Sequence, residues 1–214
     1  MGPGRRCQVL VVRIITDSNA VLDKVYVAKC YDPTLCPDVE RTEWPGGTQQ
    51  NCTSLKNTET KAYKILHQLQ GTDLPTFYGV YKYDIPNNIS SRYVEADAIL
   101  LEVINHSTLG DIDPGDLSPD EKLELKRLGD ALLAKIHNLG VYHHDITPEN
   151  LLWDRRKSLK LIDFEAATFR DGNGSDRTKE WIALDRGKLI SLLEGYGIKD
   201  ERPAPAPWFF GWSV

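Results

Sequence analysis

No apolar run in this sequence is long enough to cross a bilayer, and its N-terminus lacks the apolar core of a signal peptide. Those two absences point to a cytoplasmic or nuclear protein with no membrane partner. Basic residues are not in excess: 26 Lys and Arg stand against 31 Asp and Glu, a formal charge of −5. That balance argues against wholesale nucleic-acid binding. Cysteine is scarce. The four that occur (Cys7, Cys30, Cys36, Cys52) fall in the first quarter and form no CxxC pair. A zinc site of closely paired thiolates is therefore not expected, and free thiols are. Internal repeats are absent. N-x-S/T triplets at Asn51, Asn88, Asn105 and Asn173 would matter only in a secreted chain.

What is present is an ordinary globular composition, 41% hydrophobic and 27% charged over 214 residues, enough for one domain or two small lobes. Residues 7–15 (CQVLVVRII) and 25–30 (VYVAKC) are rich in β-branched residues and flank a polar stretch, so they predict a hairpin. Residues 32–57 carry Pro33, Pro37, Pro45 and Gly46-Gly47 and read as an irregular excursion. Residues 58–70 place Ala62, Ile65, Leu66 and Leu69 at helical spacing, with Gly71 as the stop. Strands are expected near 77–83 and 98–104, then a linker over 105–117.

The second half is mainly helical. Ser118-Pro119-Asp120-Glu121 is a capping box with proline at the first helical position. Leu125, Leu128, Leu132, Ile136 and Leu139 continue it as an apolar stripe to Gly140. A short hairpin (151–153 with 159–162), a helix near 178–194 and a proline-alternating tail follow. Strands with one helix before a helix-rich half give a two-lobed α+β plan, 1–104 and 105–214.

Chemistry concentrates in a few places. HHDITPENLLW (143–153) sets His143, Asp145 and Asn150 in a polar loop just before a strand. In an antiparallel hairpin Asn150, before the first strand, and Asp163, after the second, belong to one edge, with Asp145 beside them. Two carboxylates and an amide oxygen are hard ligands that suit Mg²⁺ and phosphate. Lys29 sits mid-strand, where a buried ammonium needs a carboxylate. Glu59 extends the inward stripe of its helix and could supply it. Two solvated surface charges are the alternative.

These residues resemble the protein-kinase-like superfamily. HHDITPENLLW resembles the catalytic loop H-R-D-L-x-x-x-N, LIDFEAA the D-F-G segment, VYVAK the V-A-I-K strand, and AILLEVI the hinge between lobes. YVAKCYDP and ETKAYKILHQLQG are similar to small fungal-type protein-kinase-like proteins, while I-D-F-E is also similar to choline kinases and aminoglycoside phosphotransferases. The resemblance implies a two-lobed kinase-like fold, with a truncated N-lobe and a minimal helical C-lobe. It implies ATP and Mg as cofactors, and an acceptor hydroxyl on protein Ser/Thr or on a small molecule.

The same resemblance implies roles. Asp145 would take the acceptor's proton, Asn150 and Asp163 would hold Mg²⁺, and Lys29, held by Glu59, would contact the phosphates. Glu102 and Ile104, after Leu101, would offer backbone groups to adenine. Gly2, Gly4 and Val9, in G-P-G-R-R-C-Q-V, would form the phosphate-covering loop, with Cys7 where its third glycine is expected.

Other departures matter too. Thr147 replaces the lysine expected after the catalytic aspartate, His144 the arginine of H-R-D, and Glu165 the D-F-G glycine; no A-P-E motif follows. Arg170, Arg177 or Lys179 could supply the missing cation from the segment 166–178. Asp185 resembles a helix aspartate that braces the catalytic loop through its backbone N–H groups. The alternative to an enzyme is a pseudokinase, a binding module with little turnover.

Overall fold

The computed structural model describes residues 7–15, 21–32, 52–86, 93–170 and 177–199. It is an α+β protein that divides into two compact units: Met1–Asn105 with Asp163–Ala166, and His106–Ile162 with Ala167–Val214. Among the described residues no helix is long and apolar enough to cross a membrane.

The first unit is a four-stranded antiparallel sheet with a helix. Strands β1 (Gln8–Ile15), β2 (Val21–Tyr31), β3 (Phe77–Pro86) and β4 (Tyr93–Glu102) lie in the order β1-β2-β4-β3. Val9 pairs with Lys29 and Lys29 with Ile99, so these three share a face. The opposite face carries Ala28, Cys30, Ala98 and Leu100, packed with Val12, Ile14, Tyr26 and Tyr83. Helix α1 spans Cys52–Ile65, six residues earlier than the periodicity alone predicts (52 against 58). Polar residues dominate CTSLKN and conceal two buried anchors, Cys52 and Leu55. On the inward stripe Leu55, Ala62, Tyr63 and Leu66 are almost wholly buried. Each such leucine contributes about 1.5–3 kcal/mol by leaving water. Tyr63 stacks on Phe77 at 5.5 Å, and Lys56 reaches Asp97 of β4 at 2.5 Å, which fixes the helix against the sheet.

In the second unit the expected linker is more ordered than its Gly/Pro content suggests. Strand β5 (Ser107–Thr108) is followed by two single 3-10 turns, and Leu109, Ile112 and Leu117 are buried. Helix α2 (Pro119–Asn138) begins at the predicted capping box: Glu121 N donates to Ser118 Oγ, and Ser118 N to Glu121 Oε2. Such a cap contributes about 1 kcal/mol. The helix stops at Gly140, whose φ of +76° and 3.0 Å clearance from Arg170 Cβ leave no room for a side chain.

Strand β6 (Val141–Tyr142) then leads into the polar loop, and β7 (Leu151–Trp153) with β8 (Leu159–Leu161) forms the predicted hairpin, joined by β5 at its edge. Strand β9 (Thr168–Phe169) pairs with β6. Helix α3 (Arg177–Gly195) packs on α2, where Leu189 comes so near Gly129 that an added Cβ would lie 3.2 Å away.

Candidate active site

In the first unit, Lys29 is the centre of a carboxylate cage. Its Nζ lies 2.6 Å from Glu59 Oε2, 2.7 Å from Asp163 Oδ1 and 2.9 Å from Glu165 Oε1. β2 points Lys29 toward α1, and the stripe of α1 points Glu59 back. The third side comes from the 3-10 turn Phe164–Ala166, whose Phe164 ring is fully buried and meets Tyr63 of α1 edge-on at 5.5 Å. That anchor sets Asp163 and Glu165 beside the lysine. Asp163 adopts the left-handed φ of 67°, an uncommon backbone for a non-glycine residue.

Burial by itself would discharge Lys29, but the three acids outweigh it and hold its pKa well above the usual lysine range. Burial pushes the Glu59 carboxyl upward, and Lys29 pulls it back. Oxygens of Glu59, Asp163 and Glu165 all lie within 4.8 Å of one another. Three carboxylates against one ammonium leave negative charge in excess, and they are hard oxygen donors. Carboxylate oxygens are of the kind a divalent cation takes, but Lys29 Nζ already sits among these three.

In the second unit, Asp185 of α3 organises the polar loop. It is fully buried and accepts from His143 N at 2.8 Å, from His144 N at 2.7 Å and pairs with His137 Nε2 at 2.9 Å. Burial works against its charge, but these donors prevail and hold its carboxyl below the ordinary aspartate value. His143 turns its ring back to Ile162 O at 3.0 Å, and Lys188 Nζ donates to His144 O. The His144 ring meets Thr168 Oγ1 at 2.6 Å, and burial lowers its pKa. Held on both sides, His144 keeps a left-handed φ of 62°. Asp145 follows directly. Asn150 donates through Nδ2 to Asp145 O at 2.9 Å and to Asp145 Oδ2 at 3.0 Å, which sets its carboxamide oxygen apart as an acceptor.

Lys29, Glu59 and Asp163 are thus brought together in one unit, and Asp145 with Asn150 in the other. Val9 stands opposite Lys29 on β1 and is 58% exposed. Glu102 ends β4 with its N–H committed to Thr76 O at 2.9 Å, and Ile104 follows it half-buried. Gly2 and Gly4 lie outside the described residues, as do positions 171–176 of the segment expected to carry a cation. Arg170 is engaged elsewhere: its guanidinium donates to His137 O at 3.2 Å, at the end of α2.

Three participants escaped the sequence reading. Glu165 stands out there only as a replaced glycine. Tyr31, two residues beyond Lys29 on the same strand face, gives its hydroxyl to Glu59 Oε2 at 2.5 Å. Nothing in the local sequence marks His137, whose ring pairs with Asp185 across forty-eight residues. The period-two spacing from Lys29 is the signal that could have exposed Tyr31.

The family model described as the lipopolysaccharide kinase (Kdo/WaaP) family matches residues 57–198, more than half of the chain. The chain belongs to the lipopolysaccharide kinase (Kdo/WaaP) family. With it comes the protein-kinase-like superfamily, whose fold this is.

Beside this family membership, similarity extends to eukaryotic protein kinases. CBL-interacting protein kinase 22 of Oryza sativa subsp. japonica is 51% identical over 41 residues, 19% of this chain. Serine/threonine-protein kinase SSK22 of Saccharomyces cerevisiae is 31% identical over 134 residues, 62% of this chain. Serine/threonine-protein kinase Kist of Rattus norvegicus is 30% identical over 134 residues, 60% of this chain. The matches span 9%, 10% and 30% of these relatives' own lengths.

Proposed function

We propose that this Kdo/WaaP-family chain is an ATP- and Mg-dependent phosphotransferase that moves the γ-phosphate of ATP to an acceptor hydroxyl. The observation that carries this reading is the buried Lys29–Glu59 pair, 2.6 Å long, with Asp163 on the same ammonium at 2.7 Å. A lysine so held is an oriented positive charge, suited to the α- and β-phosphates of a nucleotide. The first unit would be the nucleotide lobe, with Val9 closing the phosphate-covering loop and the hinge offering backbone groups of Glu102 and Ile104 to adenine. Gly2 and Gly4 would cover the phosphates.

Asn150 and Asp163 would hold Mg²⁺, which supplies charge neutralisation of the phosphates when bound. Asp145 orients the acceptor hydroxyl and takes its proton. Asn150 Nδ2 holds that carboxylate in place, and Asp185 holds the loop that carries it. Positioning and charge compensation supply most of the rate in such chemistry. The acceptor belongs to one of two classes. The family's name refers to lipopolysaccharide, the Oryza relative's to a protein kinase, and the yeast and rat relatives' to serine/threonine-protein kinases.

One observation favours a pseudokinase instead. Thr147, which makes no side-chain cap bond, stands where the superfamily carries a cation near the γ-phosphate. Nucleotide binding would survive that change, while turnover would be slow.

The test is thermal stability with Mg-ATP. At about a hundredfold over its dissociation constant, ligand adds roughly 2.7 kcal/mol, a melting shift on the order of 5–10 °C. Lys29→Met and Asp163→Asn should shrink it strongly. A folded protein with no shift at millimolar Mg-ATP contradicts the nucleotide reading.

A further inference from the structure

Glu59 is fully buried, yet it places both of its donors on one oxygen. Oε2 takes Lys29 Nζ at 2.6 Å and Tyr31 Oη at 2.5 Å, while Oε1 has no hydrogen-bond partner. Rotation about the last torsion of a glutamate is soft and roughly two-fold. With a single donor the carboxyl plane could swing about that bond. A second donor on the same oxygen sets the plane, because turning away from either donor gives up a hydrogen bond. Lys29 also has Asp163 and Glu165 within 2.7 and 2.9 Å, so the place of its ammonium is a balance among three acids. Tyr31 weights that balance toward Glu59.

The tyrosine is built for such a task. It lies two residues from Lys29 on β2, so both side chains leave the same face, and its ring centroid is 5.9 Å from Nζ. It is 2% exposed, and burial beside Glu59 pushes its phenol pKa up, which keeps it a donor. A phenol to a buried carboxylate is a charge-assisted bond, among the stronger kinds.

We propose that Tyr31 is a positioning residue: its hydroxyl pins Glu59 so that Lys29 stays aimed at the nucleotide phosphates when Asp163 turns to another partner. This rests on the phosphotransferase reading and deepens it. A merely structural hydroxyl would cost stability and leave nucleotide affinity alone.

The experiment is a double-mutant cycle read by Mg-ATP titration calorimetry and by turnover. Tyr31→Phe removes one oxygen and keeps the ring. It should weaken Mg-ATP by about three- to tenfold, toward the lower end of the coupling between neighbouring residues. In a Glu59→Gln background, where the charge it pins is gone, Tyr31→Phe should have no further effect on affinity. Parent-like affinity and turnover in Tyr31→Phe, or equal losses in both backgrounds, overturn the proposal. So does a Tyr31→Phe protein that fails to fold, because the hydroxyl would then be structural. A parent that binds no Mg-ATP at millimolar concentration overturns the phosphotransferase reading itself, and the role of Tyr31 with it. A parent that binds beside a parent-like variant removes only Tyr31's role.

Discussion

Nζ of Lys29 lies 2.6 Å from Oε2 of Glu59, although thirty residues separate them in the sequence, and both are buried. A strand and a helix each present one charge to the other, and neither charge has water to fall back on. Removing Lys29 leaves Glu59 uncompensated, whereas removing Glu59 leaves Lys29 with Asp163 and Glu165. Lys29→Met should destabilise the protein by about 3–5 kcal/mol, because three carboxylates lose their common cation. The double variant Lys29→Met with Glu59→Gln should recover part of that loss. Chemical denaturation of the four proteins of this cycle measures it, and purely additive losses would show that the pair is not coupled.

Asp185 serves three donors at once, from His137, His143 and His144. In Asp185→Ala each orphaned donor costs about 1–3 kcal/mol. A fall in melting temperature on the order of 10 °C is expected for a domain of this size. Asp185→Asn keeps one acceptor oxygen and should lose less. Equal melting of Asp185→Ala and parent would show that water replaces the carboxylate.

The His144 pair with Thr168 gives a pH dependence whose sign can be worked out. Burial lowers the imidazole pKa in the folded protein below its ordinary value of about 6.5. The unfolded chain therefore takes up the proton first as pH falls. Stability is full above about 6.5, declines as pH drops below it, and stops declining once the folded pKa is passed. Melting temperatures between pH 7.5 and 5, as chosen conditions, should fall less steeply for His144→Gln than for the parent. Identical slopes would place the titrating group elsewhere.

Asp145→Asn separates binding from chemistry. The substituted amide keeps an oxygen for the Asn150 Nδ2 contact, now 3.0 Å long, so the loop should hold its shape. Phosphate transfer should fall about 10²–10⁴-fold, the range for a general base, with Mg-ATP affinity close to parent. An equal loss of affinity, measured by calorimetry, would make Asp145 structural.

Several of these features could be read before any coordinates. A lysine inside a β-branched strand and a glutamate on an apolar helix stripe both break the local pattern, and each break marked one half of the cage. The Ser118–Glu121 box announced the start of α2 for the same reason: local bonds are written in local sequence. What stayed hidden depends on tertiary placement. Glu165 reaches Lys29 only because Phe164 docks on α1, and no spacing within LIDFEAA shows that. His137 becomes a partner of Asp185 because α3 packs against α2, forty-eight residues away along the chain. The start of α1 at Cys52 was missed because its first turn has few apolar residues, and Cys52 and Leu55 gain meaning only against the sheet.

The most direct test of the phosphotransferase account is the fate of the γ-phosphate. Purified protein is incubated with γ-labelled ATP and Mg²⁺, alone and with candidate acceptors carrying a sugar hydroxyl or a Ser/Thr side chain. The account predicts release or transfer of label by the parent, lost in both Lys29→Met and Asp145→Asn. Nucleotide binding by the parent with no turnover above the Asp145→Asn background would contradict it and make the chain a binding module.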